Sequence, residues 1–123
     1  MGVRHGRVVL AVVATAAMGS LAAGCSADGP TTALERGERI YQANCAQCHA
    51  ADLAGNDRGP SLLSPIYGPE QLSDADFADA VRNGVPEQRW EFGPMPGNGA
   101  LSDEQIDAMS MFVRARQAGD RPD

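Results

Sequence analysis

Three stretches of the chain place apolar residues at helical spacing, and each begins with a capping signal. The first starts at Thr32, where Glu35 three residues later completes a capping box. The second starts at Ser73 and the third at Ser102, which forms a capping box with Gln105. No segment shows the alternating pattern of a β-strand. The pattern therefore predicts an all-α fold.

The connections between these helices are rich in glycine and proline. Residues 52–70 and 85–100 have little periodicity and are predicted to be loops, and Asn83-Gly84 ends the second helix. Gly37 lies inside the first predicted helix, where glycine costs about 1 kcal/mol relative to alanine. Close approach of another helix would explain a glycine at that position.

The run Cys45-Ala46-Gln47-Cys48-His49 directly follows the first predicted helix. Two thiols at this spacing, followed by a histidine, are typical of a c-type haem attachment site. Each thiol can bind one vinyl group of the haem, and His49 can supply an axial nitrogen to the iron. A thioredoxin-like dithiol would require a βαβ scaffold, and a zinc site would require four ligands, while only Cys25 and His5 remain elsewhere.

The second axial ligand is predicted to be a methionine, because the chain has no other histidine beyond its N-terminal segment. Met95 lies between Pro94 and Pro96, whose fixed φ angles stiffen the loop. We therefore expect Met95 to bind the iron; the alternative is a buried methionine that only touches the haem edge. Met109 lies on the apolar face of the last helix, which favours a core position, and Met111 falls off that face.

The first 24 residues are predicted to be an export signal. A basic start precedes an apolar run over residues 8–17, which is short for a transmembrane helix. The run Leu21-Ala22-Ala23-Gly24-Cys25 resembles the lipobox of bacterial lipoproteins, in which the cysteine is lipidated and becomes the mature N-terminus. The alternative is ordinary signal cleavage with Cys25 as a free thiol. The predicted organisation is a lipoprotein-type signal (residues 1–24), a tether (25–31), one domain (32–117) and a tail (118–123).

The net charge of the chain indicates which classes of macromolecule it can bind. The chain has 16 acidic and 10 basic residues, all of the latter arginine, for a formal charge of −6. Signal cleavage would leave 99 residues with a formal charge of −8. This balance argues against nucleic-acid binding and suits a redox protein partner with a basic docking patch, although a generally acidic solvated surface is the alternative. A domain of this size is marginal for a large core, and a buried haem would fill that role.

Together, these motifs resemble the small monohaem class I cytochromes c. The resemblance is carried by Gly37-x-x-Ile40-Tyr41, the Cys45 to His49 run, Gly59-Pro60-Ser61-Leu62, Met95-Pro96 and the run from Leu101 to Ile106. It implies about three main helices and loops wrapped around one covalently bound haem c, with the first and last helices crossing near Gly37. It also implies that the carbonyl of Pro60 accepts a hydrogen bond from His49. The lysine-rich docking ring of that family is absent here.

The predicted function is one-electron transfer, without catalytic residues, by a haem with His49 and Met95 as axial ligands. A lipid on Cys25 would hold the protein at the outer face of the cytoplasmic membrane or the periplasmic side, near its redox partners. The alternatives are a haem enzyme or gas-binding protein with an open or labile distal site, and a haem subunit of a dehydrogenase or oxidase complex. Trp90, Arg58 and Arg89 are candidate propionate contacts; the alternatives are packing on the haem edge for Trp90 and solvated surface positions for the arginines. Tyr67, Leu62 and Leu63 are candidate pocket residues, with ordinary core positions as the alternative.

Overall fold

The computed structural model describes residues 2, 31–87 and 91–119, which contain four α-helices. These are α1 (Ala33–Asn44), α2 (Ala46–His49), α3 (Asp74–Asn83) and α4 (Asp103–Gln117), with a 3₁₀ helix at Pro65–Tyr67. The β structure in this part of the chain consists of two isolated antiparallel bridges, Asn56 with Gly59 and Val85 with Met95. The all-α prediction is confirmed, with α1, α3 and α4 as the three main helices.

Several predictions concern residues outside these ranges. The export signal, Cys25, Arg89 and Trp90 all lie outside the described residues. Within the described ranges, no helix has the length and apolar character needed to cross a membrane.

Local capping determines where the three main helices begin. The Thr32 hydroxyl accepts a hydrogen bond from the Glu35 amide (3.2 Å), and the Glu35 carboxylate accepts one from the Thr32 amide (2.8 Å). The bonds to Thr32 lower the pKa of the Glu35 carboxyl. Ser102 and Gln105 form the same reciprocal pair at 3.2 and 2.9 Å, and Ser73 caps α3. All three predicted helix starts are confirmed.

Helices α1 and α4 pack directly on each other, and Gly37 lies where their backbones meet. A Cβ atom added at Gly37 would collide with the carbonyl oxygen of Ala108 and lie 2.6 Å from its carbonyl carbon. Both obstacles are backbone atoms, which cannot rotate out of the way. The helix crossing predicted near Gly37 is therefore present, and it requires a residue without a side chain.

The hydrophobic core follows this crossing and includes one face of α3. The rings of Tyr41 on α1 and Phe112 on α4 lie 5.5 Å apart at a tilt of 48°. Met109 is fully buried, as predicted, whereas Met111 is 54% exposed. The core residues that are almost completely buried are Tyr41, Leu53, Ile106, Met109, Phe112 and Val113.

Arg114 fastens the loop between α2 and α3 to α4. Its guanidinium donates hydrogen bonds to the carbonyl oxygens of Tyr67 (2.7 Å) and Leu72 (2.6 Å), and its Nε donates to the Asp74 carboxylate (2.9 Å). Gln117, almost one turn further along α4, also donates to the carbonyl of Tyr67 (3.0 Å). The sequence predicts only a favourable charge at the helix end for Arg114. The structure adds a role in holding this loop in place.

We expect Gly37→Ala to lower the free energy of unfolding by about 1–3 kcal/mol, because the new methyl group must push α1 and α4 apart. This loss should appear although alanine is the better helix former. Denaturant unfolding of the haem-loaded protein measures it. Arg39→Ala, at an exposed position of α1, is the control and should change stability by no more than about 0.5 kcal/mol. Unchanged or increased stability of Gly37→Ala would contradict the close crossing.

A second prediction concerns the source of the stability that Arg114 provides. Arg114→Met keeps an unbranched apolar side chain but leaves the carbonyls of Tyr67 and Leu72 without this donor, so we expect a loss of about 2–4 kcal/mol. Asp74→Asn should cost less than about 1 kcal/mol, because the Asp74 side chain is 75% exposed. Equal losses in the two variants, measured by denaturant unfolding, would mean that the ion pair and not the carbonyl bonds dominates.

Candidate functional site

A cavity of about 470 Å³ opens between α2, α3, α4 and the loops that connect them. This volume lies within the range of roughly 300–1,000 Å³ that is typical of small-molecule and cofactor sites. Much of the lining is apolar and includes Leu72, Phe77, Val81, Val85, Phe92 and Val113. Such walls favour a large apolar ligand and exclude water from it.

Only two of the three predicted pocket residues line the cavity. Leu62 and Tyr67 contribute to the wall, but Leu63 does not and is 43% exposed. The prediction for Leu63 is wrong. The Leu62 amide donates to the carbonyl of Leu53 (2.9 Å), and Leu62 packs against the core beside it. Leu63, the next residue along the chain, is left at the surface.

The continuation of α1 into α2 brings the Cys-x-x-Cys-His run to the cavity wall. The amide of Cys45 still donates to the carbonyl of Tyr41 in α1 (2.8 Å). The amides of Cys48 and His49 then both donate to the carbonyl of Cys45 (3.0 and 2.9 Å), which closes the single turn of α2. Cys45, Cys48 and His49 all line the cavity, and the two cysteines are not joined to each other by a disulfide. The arrangement presents two sulfur atoms and one imidazole to the same space.

The environment of Cys45 argues against a redox-active dithiol. Burial and the neighbouring Cys48 raise the pKa of the Cys45 thiol to about 11. Its sulfur lies 3.4 Å from the sulfur of Met109 in the core. A dithiol that exchanges with disulfides requires a thiolate, and therefore a lowered pKa. The raised pKa therefore disfavours Cys45 as the attacking thiolate of a thioredoxin-like pair.

His49 is held in the orientation that a metal ligand needs. It is 8% exposed, and its Nδ1 lies 2.9 Å from the carbonyl oxygen of Pro60. Because a carbonyl can only accept a hydrogen bond, Nδ1 is the donor, and this contact favours the tautomer in which Nε2 holds the lone pair that a metal needs. Metal-binding histidines are commonly oriented by such a bond from the second ring nitrogen. The contact with Pro60 that the family resemblance implies is present.

A strained turn follows His49. Ala50 and Leu53 both have positive φ angles, 63° and 66°. For residues other than glycine such conformations cost about 1–3 kcal/mol each, so the surrounding structure must hold them in place. The Tyr41 hydroxyl donates to the carbonyl of Ala50 (2.7 Å), and the Leu53 carbonyl accepts from the amide of Leu62. Burial raises the pKa of the Tyr41 hydroxyl, which therefore stays a donor at physiological pH.

Met95 lines the same cavity as the Cys-x-x-Cys-His run. It lies in the loop between α3 and α4, and its flanking prolines also contribute to the lining. The amide of Met95 donates to the carbonyl of Val85, and the amide of Val85 donates to the carbonyl of Met95, both at 2.9 Å. The structure thus brings together the four side chains that the sequence singles out for haem binding, namely Cys45, Cys48, His49 and Met95.

Gln117 and Val85 are among the residues of the site that sequence reasoning missed. Gln117 lines the cavity. It follows Val113 by four positions, so helical spacing predicts that both lie on the same face of α4. Val85, which pairs with Met95, carries no such signal, because it is one apolar residue in an irregular loop. Arg58 and Glu87 are exposed charged residues that also contribute to the lining.

The donor set and the shape of the cavity fit a covalently attached haem. One apolar space is bordered by Cys45 and Cys48, which can form two thioether bonds, by the imidazole of His49 and by the thioether of Met95. The Nδ1 of His49 is bonded to Pro60, which leaves Nε2 as the nitrogen for a metal. When bound, the haem supplies an iron that changes its oxidation state by one electron.

Comparisons with known proteins agree with this chemistry. The family model described as cytochrome c oxidase, cbb3-type, subunit III matches residues 32–113. A cytochrome bc1 complex cytochrome c subunit from Mycobacterium bovis is 33% identical over 90% of this chain and 41% of its own length. A cytochrome c from Chlamydomonas reinhardtii is 33% identical over 52% of this chain and 57% of its own length.

A solved structure shows the same fold. The crystal structure of the c-type cytochrome XoxG from Methylobacterium extorquens AM1 has a TM-score of 0.56 and 27% identity, covering 71% of this chain and 52% of that protein. The chain therefore spans less than two thirds of each of these relatives. The match of the family model over most of the described region, together with the site, shows that the chain belongs to the cytochrome c family and has covalently bound haem c as its cofactor.

Proposed function

We propose that this domain is a one-electron carrier whose haem is held by Cys45 and Cys48 and ligated by His49 and Met95. The observation that carries the proposal is that all four side chains line one cavity of about 470 Å³. Thioether bonds from the two cysteines would fix the haem beside α2. His49, oriented by the carbonyl of Pro60 at 2.9 Å, provides the nitrogen ligand through Nε2.

Ligation by Met95 makes electron transfer the favoured activity. A thioether is a neutral, soft ligand, and histidine with methionine raises the reduction potential of haem iron. The apolar lining adds to this effect, because it disfavours the extra positive charge of the ferric state. With His49 and Met95 both bound to the iron, a substrate or gas would have no open position to bind. Electrons would pass through the haem edge to a partner.

A second candidate is the same carrier acting as a haem subunit of a larger oxidoreductase. The Mycobacterium bovis relative is named as a subunit of the cytochrome bc1 complex. A Pseudomonas putida relative, 32% identical over 72% of this chain and 8% of its own length, is named as a subunit of nicotinate dehydrogenase. In either case the chain's residues hold and tune the haem in the same way.

We also propose that the domain works outside the cytoplasm, anchored by a lipid on Cys25. The supporting observations are the basic and apolar start of the chain and the lipobox-like run before Cys25. Residues 25–31 would form the tether and residues 32–117 the cytochrome domain. Anchoring would raise the effective concentration of the carrier near membrane redox complexes. Its acidic surface would favour partners with a basic docking patch.

The spectrum of the haem-loaded protein tests the axial ligands. We expect a sulfur-to-iron charge-transfer band in the ferric state, and no spectral shift when carbon monoxide is added to the ferrous state. Met95→Ala should lose the band, bind carbon monoxide and have a lower reduction potential. Met111→Leu, at a position that is 54% exposed, is the matched control and should keep the wild-type spectrum. A wild-type protein without the band that binds carbon monoxide readily would instead indicate a haem enzyme or gas-binding protein.

Lipid attachment is tested by intact-mass analysis of protein extracted from membranes with detergent. We expect the mature chain to begin at Cys25 and to carry the added mass of a lipid. Cys25→Ser should remove that mass and release the protein from the membrane fraction, while its haem spectrum stays that of the wild type. Recovery of the unaltered chain as an unmodified soluble protein would contradict the anchor.

A further inference from the structure

The segment that carries Met95 is attached to the end of α3 through its backbone. Helix α3 ends at Asn83, and Gly84 follows with φ of 78°. The next residue, Val85, forms the two 2.9 Å hydrogen bonds with Met95. This pair joins Met95 directly to the second residue after the end of α3. Moving Met95 away from the cavity would require breaking both hydrogen bonds.

Gly97 packs against the same helix end more tightly than any side chain allows. A Cβ atom added there would lie 2.5 Å from the carbonyl oxygen of Arg82, 2.7 Å from the carbonyl carbon of Asn83 and 2.8 Å from the amide nitrogen of Gly84. All three are backbone atoms, so a methyl group can be accommodated only if the segment moves away from α3. Pro96 stiffens the link between Gly97 and Met95. A displacement at Gly97 is therefore passed on to Met95.

Asn98 adds a second point of attachment. Its amide donates to the carbonyl of Val81 in α3 at 2.7 Å. Its side-chain Nδ2 donates to the side chain of Asn44, the last residue of α1, at 3.1 Å, and its Oδ1 accepts from the amide of Ala100 at 3.3 Å. The segment after Met95 is thus tied to the ends of two helices that also contribute to the site.

We infer that Gly97 and Asn98 are positioning residues for Met95, which set how readily its sulfur gives way to a competing ligand. The inference rests on the proposed ligation by Met95 and adds that the packing of the following segment determines how easily the ligand is displaced. A thioether is a weak ligand, so an external base can replace it when the segment swings away. The apparent affinity for that base equals its intrinsic affinity multiplied by the fraction of molecules with Met95 displaced. Tight attachment to α3 keeps this fraction low.

The experiment is a titration of the ferric, haem-loaded protein with imidazole, followed by loss of the sulfur-to-iron band. We expect Gly97→Ala to bind imidazole about tenfold more tightly or better, because the added methyl forces the segment off α3. Asn98→Ala loses two side-chain hydrogen bonds and should bind about threefold to tenfold more tightly. Should Gly97→Ala fail to fold, Asn98→Ala carries the test.

Two controls separate positioning from general loss of stability. Gly99→Ala adds the same methyl group two residues further on, where the nearest atom is the carbonyl oxygen of Arg82 at 3.9 Å, and should bind imidazole as the wild type does. Ile106→Val removes one buried methylene from a residue that does not line the cavity, so it lowers global stability and should leave imidazole affinity unchanged. Amide hydrogen exchange at Met95 reports the attachment directly, and Gly97→Ala should speed it.

Three results would overturn the inference. The first is wild-type imidazole affinity in both Gly97→Ala and Asn98→Ala. The second is an equal gain in affinity in Ile106→Val, which would trace the effect to global stability. The third is faster exchange at Met95 in Gly97→Ala without any gain in affinity. Met95→Ala distinguishes failure of this inference from failure of the proposed ligation. If the variant retains the sulfur-to-iron band, Met95 is not the ligand and the proposed ligation is wrong. If it loses the band, the three results above concern only the attachment of the segment.

Discussion

The site depends on one backbone contact, the crossing of α1 and α4 at Gly37 and Ala108. Helix α1 runs directly into the Cys-x-x-Cys-His motif, so the position of α1 determines where the motif meets the cavity. Helix α4 contributes Met109, Val113 and Gln117 to the wall of the same cavity. A wider helix crossing would increase the distance between the motif and this wall. Tight packing at a glycine therefore sets the width of the cofactor site.

The two axial ligands are held by different kinds of interaction. His49 belongs to the motif that would be bonded to the haem, and its ring is fixed by Pro60 within a strained, hydrogen-bonded turn. Met95 has no such covalent link and depends on its pairing with Val85 and on the packing of its segment against α3. The backbone strain of the turn after His49 is offset by hydrogen bonds from core residues, such as the one that the Tyr41 hydroxyl donates to the carbonyl of Ala50. The methionine side is thus the one on which small changes in packing would alter ligation.

The parts of the structure that sequence predicts are those decided by neighbours along the chain. The caps at Thr32, Ser73 and Ser102 need only residues three positions away, and all three are present. The close helix crossing at Gly37 is also predicted from sequence, because glycine inside a helix has a cost that close packing can offset.

The parts that sequence does not predict depend on contacts between residues far apart in the chain. Leu63 is predicted to line the pocket, yet it lies at the surface beside Leu62, whose amide is bonded to the distant carbonyl of Leu53. For Arg114 the sequence predicts a favourable charge at the end of the last helix. Its hydrogen bonds to the carbonyls of Tyr67 and Leu72 join residues more than 40 positions apart, so local sequence does not predict them.

The haem completes the hydrophobic core of this domain. The side chains around the site leave a space of about 470 Å³ that the protein itself does not fill. The walls of this space are largely apolar and include Leu72, Phe77, Val81 and Val113, which a bound haem would cover. Burial of apolar surface is the main favourable term in folding, so haem binding would add to the stability of a domain of this size. Two thioether bonds would keep the cofactor, and with it this contribution, from being lost by dissociation.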